Sequence, residues 1–120
     1  MLSKKINIGI VLSAITFLTI LNYDYCRCFC FLTKNVCVYV KNESGQNIPS
    51  GYLTAYQNDT IKFYNIKNGN DVCLKYRGGG ENAFNLTVKL SDNKTLQYGE
   101  YSEDGYCFDI VVTSRRIESR

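Results

Sequence analysis

Apolar residues are distributed along this chain in two different ways. Residues 6–21 form a nearly unbroken run of Ile, Val, Leu, Phe, Ala and Gly, in which only Asn7, Ser13, Thr16 and Thr19 are polar and nothing is charged. From residue 35 onward, apolar and polar residues alternate in short segments divided by Gly, Asn, Asp and Ser. The first pattern predicts an export or lipid-facing helix, the second a series of half-buried strands.

A helix rising about 1.5 Å per residue over 6–21 spans roughly 24 Å. That falls short of the roughly 30 Å hydrocarbon core of a bilayer, yet exceeds the usual apolar core of a signal peptide. Lys4 and Lys5 precede the run, so the positive-inside rule keeps them in the cytoplasm and sends residues beyond about 22 outside. Cleavage needs small residues after the apolar core, whereas Asn22-Tyr23-Asp24-Tyr25 is bulky and polar. No small-residue lipobox precedes Cys26, Cys28, Cys30 or Cys37. Residues 1–25 are therefore expected to be a signal peptide or N-terminal membrane anchor, the uncleaved anchor preferred over the cleaved leader. Burial in a soluble core is the remaining alternative. The membrane is the expected partner of residues 6–21. The rest is expected to be exported to the periplasmic or extracytoplasmic face, anchored or secreted.

Strand signals fall at 36–40, 52–56, 61–66, 72–76, 83–90, 95–98 and 106–113. The clearest is 83–90, where Phe84, Leu86, Val88 and Leu90 share a face. Ser91-Asp92-Asn93 predicts a hairpin turn and Arg77-Gly78-Gly79-Gly80-Glu81 a flexible hairpin. The acidic loop 99–105 predicts a solvated turn bent at Asp104-Gly105. About seven strands at roughly ten-residue spacing predict an all-β fold, an immunoglobulin-like β-sandwich preceded by the N-terminal hydrophobic helix. The expected layout is a Cys-rich linker at 26–34, the sandwich at 35–113 and a basic, solvated tail at 114–120.

Several short elements then follow one another in order: Val40-Lys41-Asn42-Glu43-Ser44-Gly45-Gln46-Asn47-Ile48, Ile66 with Gly69, Gly80-Glu81, Leu86-Thr87-Val88, and Tyr101-Ser102-Glu103-Asp104-Gly105-Tyr106. Through them the chain resembles small exported bacterial proteins that carry an N-x-S-G … Y-x-E-x-G-Y layout on a β-sandwich, over about residues 36–113. The resemblance implies a fold and a compartment. It brings no activity and no functional residues, and the cysteines lie outside its pattern.

Charge changes the picture little. Fourteen basic and 11 acidic residues leave a net charge of +3, which gives no electrostatic reason to expect nucleic acid as a partner. Cysteine changes it more. Six in a short exported chain predict a disulfide framework drawn from Cys26, Cys28, Cys30, Cys37, Cys73 and Cys107, with fifteen possible pairings. Strand alternation sets Cys37 against Val36, Val38 and Val40, Cys73 against Val72, Leu74 and Tyr76, and Cys107 against Phe108, Ile110 and Val112. All three thus fall on the less apolar side of their strands. If the first and last strands are neighbours, a Cys37–Cys107 bridge closes a loop of about 70 residues. The chain-entropy account values such a closure at roughly 4 kcal/mol.

The Cys26/Cys28/Cys30 cluster admits a zinc or copper site, but it has no fourth nearby ligand and the chain has no histidine. Its spacing also differs from the Cys-x-x-Cys of thiol oxidoreductases. Pairing with the domain cysteines or with a second chain is the main expectation, and acylation beside the membrane is a further one. No metal or cofactor is expected.

The absence of histidine removes the common general base and the Ser/His and Cys/His nucleophile pairs. Glu100, Glu103 and Asp104 cluster beside Tyr98, Tyr101 and Tyr106, without the spacing of an EF-hand or the sign of a substrate cleft. Arg77–Glu81 is not a phosphate loop, since no Gly-Lys-Ser/Thr follows it. Ten tyrosines and no tryptophan stand out, and Tyr98 and Tyr101 are the expected interaction surface, in a loop at one end of the sandwich. The functional expectation is a non-enzymatic, exported or membrane-anchored binding module of the cell envelope whose partner is an envelope or surface protein. The alternatives are a thiol-based metal or redox protein using Cys26, Cys28 and Cys30, and a hydrolase using the acidic loop around Glu103.

Overall fold

Valine, isoleucine, tyrosine and threonine at alternate positions favour the extended backbone, because their branched or aromatic side chains pack best on a pleated surface. The computed structural model describes residues 9–18, 33–55 and 60–120. Eight strands form within them: β1 (Asn35–Asn42), β2 (Ile48–Ala55), β3 (Ile61–Ile66), β4 (Asp71–Arg77), β5 (Asn82–Lys89), β6 (Thr95–Ser102), β7 (Cys107–Val112) and β8 (Ile117–Ser119). They make two four-stranded sheets, ordered β4-β1-β7-β8 and β3-β2-β5-β6. Every pairing is antiparallel except β1 with β7, which run parallel. The all-β sandwich is thus established.

The inward faces of the two sheets supply the core. Val36, Val38, Val40, Leu74, Tyr76, Ile110 and Val112 come from one sheet, and Leu53, Phe63, Phe84, Leu86, Val88 and Leu96 from the other. Phe84 sits at the centre with no exposed surface, its ring edge-on to Phe108 at 5.1 Å and within 6.4 Å of Tyr76. Two polar links tie the sheets together. Tyr76 on β4 and Ser102 on β6 share a buried hydroxyl–hydroxyl bond of 2.7 Å. Asn42, fully buried at the end of β1, donates through Nδ2 to the carbonyls of Ile66 and Gln46, each at 2.8 Å. Its Oδ1 accepts from the Ser44 N–H at 3.0 Å and the Ser44 hydroxyl at 2.6 Å. All four hydrogen-bonding sites of the amide are used. Gly45, at φ 79°, then turns the chain, which gives the N-x-S-G element its structural role.

The structure departs from expectation at several places. The second strand begins at Ile48, four residues early, with Pro49 tolerated near its start. The sixth runs through Ser102, so most of the expected acidic loop is strand and only the turn to β7 remains. The glycine segment after β4 is no hairpin, because β4 and β5 belong to different sheets. It is a tied corner: Gly78 donates to the Lys34 carbonyl at 2.8 Å and Gly80 to Asp104 Oδ1 at 3.0 Å. A Cβ on Gly78 would lie 2.0 Å from that same Oδ1. The C-terminal residues add an eighth strand, in which Ile117 is buried against Val112, while Arg120 pairs with Glu43 at 2.7 Å.

Residues 9–18 are α-helical, with Ile10, Val11, Leu12, Ile15, Phe17 and Leu18 all more than half exposed. Among the described residues, no helix is long and apolar enough to cross a membrane. The ends of the 6–21 run, and the linker bearing Cys26, Cys28 and Cys30, lie outside the described residues.

Candidate functional site

Each sheet turns one face to the core and the other outward, and the two outward faces differ in chemistry. On the β4-β1-β7-β8 sheet the register sets Lys75, Cys37 and Cys107 in one row. Cys73, Tyr39 and Asp109 form the next, and Asp71, Lys41 and Val111 the third. Cys37, Cys73 and Cys107 therefore share this outward face on three neighbouring strands, as alternation required. Cys37 is sealed at 1% exposure and packs with Tyr39 and Cys73, while Cys107 is exposed. Cys37 and Cys73 are both disulfide-bonded. No two of the three described cysteines are at bonding distance from each other.

The expected Cys37–Cys107 bridge is accordingly not formed, although the two are aligned across the parallel β1–β7 pair. Neighbouring strands stand about 4.8 Å apart with their side chains projecting side by side, whereas a disulfide draws its Cβ atoms to about 3.8 Å. From the Cys73 row onward, Tyr39, Lys41, Asp71, Asp109, Val111 and Arg120 line a groove of ≈ 250 Å³. Glu43 pairs with both basic groups of the groove, Lys41 at 3.7 Å and Arg120 at 2.7 Å.

The outward face of the β3-β2-β5-β6 sheet is of another kind. One row reads Tyr64, Ser50, Lys89 and Thr95, and the next Lys62, Tyr52, Thr87 and Gln97. A third carries Thr54, Asn85 and Gly99, and Tyr101 stands beyond it opposite Ala83. These rows contain no Val, Leu, Ile, Phe or Met and no acid. Tyr52, Tyr64 and Tyr101 are 43%, 63% and 50% exposed. Two shallow grooves meet at Thr87. One of ≈ 320 Å³ runs past Asn85 and Gln97, the other of ≈ 290 Å³ past Ser50, Tyr52 and Thr95. Gly99 opens the first: a Cβ there would stand 2.7 Å from Asn85 Oδ1.

Of the residues singled out from sequence, Tyr98 and Tyr101 both lie on β6 rather than in a loop, and alternate positions send them to opposite faces. Tyr98 packs inward on Phe84 with ring centroids 6.3 Å apart, and its hydroxyl donates to Glu100. Partial burial first, and then the Glu100 carboxylate, push its pKa up. Tyr101 faces outward and donates to Glu103, whose carboxylate chiefly pushes the phenol up to about 12. Asp104 is taken by the glycine corner. Glu100, Glu103 and Asp104 thus each hold a different partner. Among the described residues, no group of three or more His, Cys, Asp or Glu side chains is arranged to hold a metal. The sequence does not mark Tyr52, Tyr64, Asn85 and Thr87 as one surface. Their signal was the polar half of each strand alternation, which periodicity marks only as the side away from the core.

The architecture defines a class, a two-sheet all-β sandwich with a parallel β1–β7 pair at the middle of one sheet. A solved structure is similar in fold: the NMR structure of a protein from Eubacterium rectale superposes with a TM-score of 0.60 at 6% identity, covering 72% of this chain and 88% of that one. At that identity the likeness is one of fold alone. No protein-family model and no curated protein matches the chain.

Proposed function

We propose that this protein is a non-enzymatic, exported or membrane-anchored β-sandwich that binds a component of the cell envelope or surface, and that it does so through the outward face of the β3-β2-β5-β6 sheet. The observation that carries the reading is that face's composition: exposed tyrosine rings beside Thr, Asn, Gln, Ser, Lys62 and Lys89, with no aliphatic centre and with an acid, Glu103, only at the Tyr101 hydroxyl. Protein interfaces concentrate apolar residues at their middle, and this face has none. A hydroxyl-rich glycan chain matches it better than a protein does, since tyrosine rings stack on sugar faces while amides and hydroxyls exchange hydrogen bonds with hydroxyl groups. The exposed apolar side chains of the 9–18 helix support a lipid-contacting anchor. The immunoglobulin-like reading of the fold rests on the two-sheet layout alone, because the strand order here differs from the ABED and CFG grouping of those domains.

The test is a titration of labelled protein with soluble fragments of the source cell's surface polysaccharide, followed by amide NMR. Shifts confined to β2, β5 and β6, and lost in Tyr52→Ala, are expected. Shifts on β1, β4 and β7, or none at saturating fragment, would overturn the assignment.

A further inference from the structure

We propose that the ligand of the β3-β2-β5-β6 face is an anionic glycan, whose carboxylate or phosphate groups lie over Tyr52 between Lys62 and Lys89. The inference rests on the reading of that face as the binding surface, and it names the chemistry the face selects. Three observations converge. Lys62 stands directly opposite Tyr52 on β3, and Lys89 lies two residues along β5 from Thr87, the partner of Tyr52 on its other side. Opposed residues in a sheet stand about 5 Å apart and diagonal ones about 7–8 Å, so both ammonium groups can reach an anion seated on the exposed Tyr52 ring. Among the described residues, neither lysine is paired with a carboxylate. The ion pairs found there join Lys41 and Arg120 to Glu43, and Arg116 to Glu118, all belonging to the other sheet and its ends. The described acids of this face are also held elsewhere. Asp92, in the β5–β6 turn, accepts from the Lys94 amide and the Gln46 side chain. Glu103 bonds the Tyr101 hydroxyl and, with a smaller contribution from the charge of Glu81, holds that phenol's proton. Tyr101 is opposite Ala83, and the step along β5 from Ala83 to Lys89 covers about 20 Å at 3.3 Å per residue. That is about twice the Debye length at physiological ionic strength, so the acidic end leaves the two lysines uncompensated.

Protection of a sheet edge does not account for both lysines. β3 is an outer strand, where a lysine discourages stray strand pairing, but Lys89 lies on β5, which is paired on both sides. The opposite outward face supplies the contrast, since Lys41, Asp71 and Asp109 set both signs of charge in neighbouring rows. A lysine ammonium is a compact charge with three donors, suited to a carboxylate or a phosphate alike. Tyr52 and Tyr64 supply ring faces for the sugars, and Ser50, Thr87 and Thr95 line the ≈ 290 Å³ groove beside Lys89.

The probe is the pool of surface-polysaccharide fragments from the source cell, split on an anion exchanger into neutral and acidic fractions. Each fraction is titrated separately into labelled full-length protein. The acidic fraction is expected to shift amides on β2 and β5 around Tyr52, and to bind at least about tenfold more tightly than the neutral one. Its affinity is expected to fall as salt rises from about 0.05 to about 0.5 M, because the screening length shortens. Reducing the carboxyl groups to alcohols, or removing phosphate by hydrolysis, identifies the anion by which treatment abolishes binding; binding that survives both overturns the proposal. Lys62→Gln/Lys89→Gln is expected to weaken the acidic fraction about tenfold, each exposed contact contributing a few-fold. Lys41→Gln/Arg115→Gln removes the same charge from the other sheet and its β7–β8 turn, and is expected to change affinity less than about twofold. An equal loss in both double variants would reduce the effect to net charge and contradict the site. Equal affinity for the two fractions, with shifts on this face, overturns the anionic assignment and leaves the glycan-binding face standing. No shift from either fraction overturns both.

Discussion

Asn42→Ala removes the one side chain whose amide joins the end of β1 to the carbonyls of Ile66 and Gln46. The wild-type amide makes two donor bonds of 2.8 Å and accepts two from Ser44, at 3.0 and 2.6 Å. A net contribution of about 1 kcal/mol per bond gives about 4 kcal/mol, and water can reclaim part of it at Gln46, which is only half-buried. The Ile66 carbonyl bond is buried, and leaving that acceptor unmade costs a further penalty of about 1–3 kcal/mol. The expected loss is therefore about 4–6 kcal/mol, a large share of the roughly 5–15 kcal/mol that holds a small domain together. Urea unfolding under oxidising conditions reads it directly: with a slope near 1–3 kcal/mol/M, the midpoint falls by at least about 1 M while the slope stays constant. Ser44→Ala, which removes only the hydroxyl, is the control and is expected to cost about 1 kcal/mol. A loss under about 1 kcal/mol for Asn42→Ala, or one no larger than that of Ser44→Ala, would refute the role assigned to the amide.

Three further outcomes follow from the packing. Tyr76→Phe leaves the Ser102 hydroxyl buried without its 2.7 Å partner and is expected to cost about 1–3 kcal/mol, whereas the double variant Tyr76→Phe/Ser102→Ala recovers part of that loss in the same urea assay. Gly51→Ala places a Cβ 2.3 Å from the Phe63 ring and 2.9 Å from the Thr87 carbonyl, so overpacking of about 1–3 kcal/mol is expected as a lower thermal midpoint. Tyr76, Tyr98 and Tyr101 all hold their protons more tightly in the folded chain than the ordinary phenol near pH 10. Their contribution is thus fully present below about pH 10 and is lost as pH rises through the folded values. Thermal midpoints should fall from pH 9 to pH 11, and absorbance at 295 nm should show late-ionising tyrosines; a midpoint that rises over this range contradicts the signs.

Most of the strands were legible because one side of each is apolar at a strict period of two, as in Phe84, Leu86, Val88 and Leu90. The regular structure at 117–119 was not, since three residues give no period and Ile117 is the only apolar one among Arg115, Arg116, Glu118 and Arg120. The length of β6 was masked by Gly99 and Glu100, whose propensities are poor for strands; pairing with β5 overrides them. The facing of the cysteines followed from alternation, and the neighbourhood of β1 and β7 was anticipated as a condition. Which cysteines bond could not follow, because pairing depends on strand order rather than on spacing. The Tyr52 face was hidden for a similar reason: Tyr52, Thr87 and Gln97 are far apart in sequence and become one row only when β2, β5 and β6 align.

The proposal that one face of this sandwich is open for binding meets its most direct test in tyrosine footprinting on the native cell surface against the purified protein. Tyr52 and Tyr64 lie on the face in question, while Tyr106, 42% exposed and outside it, serves as the internal reference. Protection of Tyr52 and Tyr64 in place, with Tyr106 labelled equally in both samples, is the predicted result. Equal labelling of all three in both samples would contradict it.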